Sequence, residues 1–456
     1  MTFAAILTAL MMTIMIFFLV INSFQAILLM CSVPELWSHW QLADDEYFHA
    51  LVGSEALPPI SVVSVLQAGR AGAVEFAHML LDLNYPRFEV ILVVDGGAGE
   101  ALSLLERAFE LYEVPPAFTV NVKTRPVGKY FRSRTHPRLL CLDKESSPLG
   151  DGLNAALNAA RYPHAVSAAQ SVAFEPDALL RLSRPLLLDR SVVCVGGVLR
   201  PSNFTRVEGG RLVPSRVVGW TVGCQTIEYL RNFMFQRLGW NRIASNIVYP
   251  SGTVLFRRED IFGLGGFDPD NDTPGIDIAV RLHKYLTDIG VNARMPVIPD
   301  PVAWSVVPTA MATIGRARQH CIRVLMSILT IKPGLVFNPE YGAVGVGAMP
   351  YLWLGIIAAP LLELLGYAGL LIGLGSGVLD ASFAWAYLAS VLGYGILLSV
   401  WTVVFQAVSF KRADQTGDTG RLLAFAVIEA LGYRQMLALY RTAAYFAERQ
   451  PKNING

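Results

Sequence analysis

Through the middle of this chain, short apolar runs rich in β-branched residues alternate with segments of helical spacing. Longer apolar blocks lie toward the two ends. The runs at 60–66 (ISVVSVL) and 89–94 (EVILVV) read as strands buried on both faces of a sheet. Further strands are expected at 118–122, 139–142, 192–198 and 253–256. Helical spacing occupies 71–83, 100–112, 151–161, 176–187 and 276–286. This alternation is a βαβ series, and it predicts an α/β domain whose mostly parallel sheet is flanked by helices. In such a sheet the ligand crevice lies beyond the carboxyl ends of the strands.

Three blocks are long enough to cross a bilayer, which takes about 20 helical residues. Residues 2–33 contain no charge, and without a basic leader they read as a retained span. Residues 346–374 contain one acid, Glu363, and residues 383–410 contain none. A fourth segment, 421–446, carries Glu429, Arg434 and Arg441, and is either a span with an internal ion pair or a helix lying in the interface. The expected division is a transmembrane helix at 1–33, a linker at 34–58, the α/β domain at 59–310 and amphipathic interface helices at 311–345. Two transmembrane helices within 346–410 and a tail at 411–456, which holds the fourth segment, complete it.

Composition supports this mixture. The 456 residues are 53% hydrophobic with a mean hydropathy of +0.43, high for a soluble protein and low for one wholly within a membrane. A net charge of +1 provides no field to recruit nucleic acid. The five scattered cysteines have no C-x-x-C spacing, which argues against a disulfide scaffold or a zinc site and suits a reducing compartment. Arg316, Arg318, Arg323 and Lys332 precede the second block and Lys411 and Arg412 follow the third, whereas the connection between those blocks has no cation. The positive-inside rule then places 34–345 and the tail in the cytoplasm, as expected of an integral protein of the cell (inner) membrane. On that orientation the Asn203-Phe-Thr sequon is never glycosylated.

Three stretches carry a family resemblance: DKESSPLGDGLN (143–154), FEPDALLRL (174–182) and GGFDPDNDTPGIDIAVRLH (265–283). They are similar to processive family-2 glycosyltransferases, the membrane-bound polymerases that make cellulose, hyaluronan and poly-N-acetylglucosamine. The likeness covers about residues 55–345. It implies a GT-A-like fold, a nucleotide-sugar donor and a divalent metal held by an Asp-x-Asp pair. It also implies a lysine near the diphosphate, an Asp base for the acceptor hydroxyl, and a Gln-x-x-Arg-Trp motif on an interface helix.

The places where the family keeps those groups hold other residues. The loop after the first strand reads Val65, Leu66, Gln67, Ala68, Gly69 in place of Pro-x-Tyr-Asn-Glu. The nucleotide-contacting Asp-Gly-Ser is replaced by Gly96, Gly97 and Ala98, with Asp95 one place early. Asp95 is either a remnant nucleotide contact or a turn former. Leu149 stands at the lysine place, and Ala169, Gln170 and Ser171 stand at the metal pair. Pro274 and Gly275 occupy the place of the Glu-Asp base pair, and Asp277 follows two residues on, facing another side of its helix. Ala317, His320 and Cys321 take the Gln, Arg and Trp places; His320 is a phosphate contact or a residue packed near lipid headgroups. Asp268, Asp270 and Asp272 form either a cation loop or a solvated turn. The basic run at 123–138 (KTRPVGKYFRSRTHPR) is structural, lipid-facing or a site for an anionic polymer.

Loss of a general base alone removes about 10² to 10⁴ in rate, and loss of the metal removes several kcal/mol more of charge stabilisation. The expectation is a pseudoenzyme without cofactor, acting as an accessory or scaffold subunit in surface polysaccharide biosynthesis or export. Its partners would be membrane lipids, an active polysaccharide synthase and a glycan, and no nucleic acid. One rival is an active glycosyltransferase with rewired donor chemistry, which needs Mg or Mn. A second is a nonenzymatic polymer-binding membrane subunit that uses the segment around Glu363.

Overall fold

The buried β-branched runs form the centre of a ten-stranded sheet among the described residues, in the order β3-β4-β5-β2-β1-β6-β11-β8-β12-β7. This is a computed structural model that describes residues 3–43, 57–67, 72–96, 99–203, 205–208, 211–214, 219–243, 246–247, 249, 252–271, 273–331, 333–409 and 419–446. β1 (Ile60–Leu66) and β2 (Phe88–Asp95) pair in parallel, with β5 (Leu139–Lys144) beyond β2 and β6 (His164–Ala168) beyond β1. Antiparallel strands extend this parallel centre: β3 (Leu111–Glu113) and β4 (Val127–Ser133) on one side, β11 (Thr253–Arg257) on the other. β8 (Cys194–Pro201), β12 (Val297–Ser305) and β7 (Val172–Phe174) complete the far side. β9 (Thr205–Glu208) and β10 (Arg211–Pro214) form a separate hairpin.

Every residue of β1 is buried because helices cover both faces of the sheet. Val62 and Leu66 pack toward α2 (Ala73–Leu81), α3 (Gly99–Phe109) and α5 (Ala178–Leu188). Val63 and Val65 pack toward α4 (Leu149–Ala159), α8 (Arg258–Gly263) and α9 (Pro274–Asp288). The strand expected at 118–122 is not formed. Its chain is irregular, and the amides of Asn121 and Val122 donate to Asn158 Oδ1 at 2.9 and 3.0 Å in place of a neighbouring strand.

His164, at the start of β6, gives this domain an acid-sensitive element. Burial, reinforced by nearby Arg257, pushes its pKa down to about 4. The folded imidazole therefore stays neutral where the unfolded chain takes up a proton, below about pH 6.5. Its contribution is whole above that pH and is lost progressively as pH falls toward 4. Because the ring is partly solvated, screening limits the effect to on the order of 1–2 kcal/mol. His164→Gln is expected to flatten the pH dependence of the melting temperature between 6.5 and 4; an unchanged slope would refute this assignment.

Among the described residues, four helical segments are long and apolar enough to cross a membrane: Phe3–Ser38, Val344–Gly375, Ala381–Ala407 and Thr419–Phe446. The first belongs to α1 (Phe3–Ala43), which continues past the expected boundary at 33 through Pro34; residues 44–56 of the expected linker lie outside the described residues. The others contain α11 (Ala359–Gly375), α12 (Ala381–Leu388) with α13 (Tyr394–Ser409), and α14 (Thr419–Ile428) with α15 (Arg434–Phe446). The last segment is broken at Leu431 and Gly432, where Gly432 has φ +116° and its amide is held by Gln435 Oε1 at 2.7 Å. Between the sheet and these helices run a continuous helix, α6 (Trp220–Tyr229) to α7 (Arg237–Ile243) through a π-helical stretch at Leu230–Gln236, and α10 (Met311–Ile331). A side chain at Gly239 in α7 would overlap the Leu28 backbone of α1, so glycine is what lets the two helices touch.

Candidate functional site

The parallel register brings the carboxyl ends of β1, β2, β5 and β6 to one edge, where Leu66 lies beside Val94 and Asp95 beside Lys144. This is the crevice predicted to hold a donor. Asp95 is engaged inside it: its Oδ1 accepts from the Ser147 amide at 3.0 Å. Lys144 Nζ donates to Ser147 Oγ at 3.2 Å and pairs with Asp151 in α4, both side chains being almost wholly buried (0% and 1% exposed). Loop 145–147 is thus pinned over the strand ends. At Gly96 a Cβ would stand 2.6 Å from Ser146 N and 3.0 Å from Glu145 Cα, so the backbone fills the space a side chain there would need.

The start of α4 is closed in the same way. Gly150 N donates to Asn271 O at 2.9 Å, and a side chain at Gly150 would overlap the Asp268 carbonyl. Leu149 packs against the core on the α4 side of the sheet. Arg125 ties the two loops together: its amide donates to Asp151 Oδ1 at 3.0 Å, its Nη1 to Ser146 O at 3.5 Å, and its Nη2 lies 4.0 Å from Asp270 Oδ1.

Ala169, Gln170 and Ser171 join β6 to β7 in a tight turn, with Val172 N donating to Ala169 O at 3.0 Å. A divalent magnesium or manganese ion takes several oxygen ligands, one or two of them carboxylates beside substrate phosphates. A methyl, an amide and a hydroxyl do not fit that need. Among the described residues, no group of three or more His, Cys, Asp or Glu is placed to hold a metal. In the acidic loop Asp268 Oδ1 accepts from Asp270 N at 3.0 Å and Asn271 Oδ1 from Thr273 N at 2.8 Å, the geometry of successive Asx turns. Asp272, Gly97, Ala98, Ala68 and Gly69 lie outside the described residues, as do Lys332, Lys411 and Arg412.

Pro274 and Gly275 open α9, and Asp277 pairs with Arg281 one turn on at 3.3 Å. Ala317 and His320 are exposed on α10, away from the loops just described. Cys321 is half-buried, and burial pushes its thiol above the usual range. The basic run forms β4 and its flanks and mostly finds local partners. Lys129 pairs with Glu113 at 3.2 Å, Arg134 lies over the Tyr112 ring and Arg138 over Phe88.

The structure assembles a second concave site, which the sequence announced only through Glu363 and the charges of 421–446. A cavity of about 280 Å³ lies between α1, the α6–α7 helix, α10, α11 and α14–α15, and Cys321 and Glu363 are among its lining residues. Glu228 accepts from Arg318 at 2.8 Å and Arg441 at 3.0 Å. Glu429 accepts from Arg231 and Arg434, each at 3.1 Å. Glu363 accepts from Tyr367 at 2.9 Å, and Gln435 donates to the same tyrosine at 3.0 Å. The partners of Glu228 and Arg231 lie some 90 to 210 residues away along the chain, beyond what a local pattern announces.

No protein-family model matches this chain, and no curated protein matches it. Among solved structures it is similar to the mannosyltransferase PcManGT from Pyrobaculum calidifontis in complex with GDP-Man and Mn2+. The identity is 17% and the TM-score 0.48, over 91% of this chain and 99% of that one.

Proposed function

We propose that this chain is a membrane-embedded protein with a GT-A-like domain that performs no glycosyl transfer. It serves instead as an accessory or scaffold subunit in surface polysaccharide synthesis or export, with the sheet domain on the cytoplasmic side. The observation that carries this reading is the closure at Gly96, where the Ser146 backbone stands in the space of a nucleotide-contacting side chain. Three further features support it. Asp95 is bound to the Ser147 amide, the β6–β7 turn offers no carboxylate, and Pro274 and Gly275 carry no base. A nucleoside diphosphate leaving here would meet neither the metal nor the proton acceptor that its departure needs.

Calorimetric titration of the purified full chain with UDP- and GDP-sugars, with and without Mn2+, tests this. No metal-dependent binding is expected below about millimolar concentration, the weak end of specific recognition. Micromolar binding that requires Mn2+, or radiolabelled sugar incorporation lost in Asp95→Ala or Asp270→Ala, would overturn the reading in favour of an active transferase.

A further inference from the structure

We propose that the cavity between the membrane helices and the α6–α7 helix is a binding site for the phosphate head of an anionic phospholipid. Its lining combines two kinds of group. Arg231, Arg237, Arg318, Arg434 and Arg441 line it together with Glu228, Glu363 and Glu429, a surplus of two positive charges. Glu228 and Glu429 are already shared, each between two arginines. A guanidinium has five N–H donors, so donors outnumber the carboxylate acceptors; the Nε atoms of Arg318 and Arg434 are buried with no hydrogen-bond acceptor. Arg318, Arg434 and Arg441 nevertheless keep 21%, 20% and 26% of their side-chain surface accessible, and all three line the cavity. Uncompensated positive charge among membrane helices calls for a counter-anion, and the planar guanidinium fork matches phosphate oxygens.

The lining also includes apolar side chains: Phe18 and Ile21 of α1, Ile322 and Leu325 of α10, and Leu352 with Ile356 at the head of the second span. A ligand that suits both kinds of lining is an amphiphile with an anionic head and a hydrocarbon chain. The volume of about 280 Å³ lies just below the usual range of ligand pockets, roughly 300–1,000 Å³. It suits a headgroup and the first carbons of a chain better than a run of sugars. This site is independent of the donor crevice and stands whether or not the scaffold reading holds.

The test is native mass spectrometry of the full chain in mild detergent after delipidation. Phosphatidylglycerol, phosphatidylcholine, diacylglycerol, inorganic phosphate and a neutral oligosaccharide are added in separate arms. Phosphatidylglycerol is expected to be retained at least ten-fold better than the others. The double variant Arg231→Gln/Arg441→Gln removes the charge surplus while leaving Arg434 on Glu429 and Arg318 on Glu228. It is expected to lose that preference, and Arg231→Lys/Arg441→Lys is expected to keep most of it. Should the glutamine pair fail to melt cooperatively, the single Arg441→Gln is read instead, with a several-fold loss expected. Retention unchanged in the glutamine variant, or equal retention of phosphatidylcholine, overturns the proposal. Displacement of the lipid by an equal concentration of inorganic phosphate, or preferential retention of the oligosaccharide, overturns it as well.

Discussion

Lys144→Met is expected to destabilise the protein by about 3–5 kcal/mol, the usual effect of stranding one member of a buried ion pair. For a domain of this size that is a fall in Tm of roughly 10 °C. Lys144 ends β5 and meets Asp151 in the first turn of α4, both out of reach of water. Removing the ammonium leaves a carboxylate whose one other described neighbour is the Arg125 amide. It also frees Ser147, so loop 145–147 loses a tether above the crevice. The paired change Lys144→Met/Asp151→Asn keeps the acceptor for Arg125 and removes the stranded charge, and it is expected to recover most of the loss. Thermal unfolding of the full chain in detergent reads both. A single-variant loss under 1 kcal/mol, or a double variant no better than the single one, would show that the pair does not hold this corner.

Glu429→Gln is expected to be of similar size, again about 3–5 kcal/mol, because two half-buried guanidiniums then share no carboxylate at this buried point of the helical assembly. Ser399 adds a third contact, donating to the same carboxylate at 3.4 Å, so the site joins three helical segments. Chemical unfolding in mixed micelles, followed by tryptophan fluorescence, measures the loss. Adding Arg434→Gln to Glu429→Gln removes one of the two opposed charges and is expected to restore part of it. If the glutamine variant is as stable as the parent, the pairing is peripheral to the helical assembly.

The centre of the sheet was legible because β1 and β2 are apolar over most of their length, and such runs have few alternatives in a βαβ series. β4 was missed because Lys129 and Arg132 interrupt any apolar pattern; its place beside the short edge strand β3 leaves Lys129 exposed and Arg132 half-buried. The run at 118–122 misled for the opposite reason. Its residues suit a strand, yet Asn158 satisfies its amides from a helix, a contact no local pattern announces. The ambiguous segment 421–446 has the length and composition of a span, and within it Glu429, Arg434 and Arg441 find internal partners that ease the burial of their charges. The residues at the donor places could be read as chemically poor from sequence alone. That the 145–146 backbone lies within reach of a side chain at position 96 could not, since it depends on hydrogen bonds between loops more than 50 positions apart.

That close backbone approach sets an order for anyone wishing to place a new carboxylate in this crevice. A carboxylate introduced at position 96 collides with the Ser146 amide before it can meet any substrate, and larger residues at 150 collide with the Asp268 carbonyl. The loops must be remodelled first and the reactive groups installed afterwards. A mutant library that samples one position at a time therefore meets a valley on the way, whatever the selection applied.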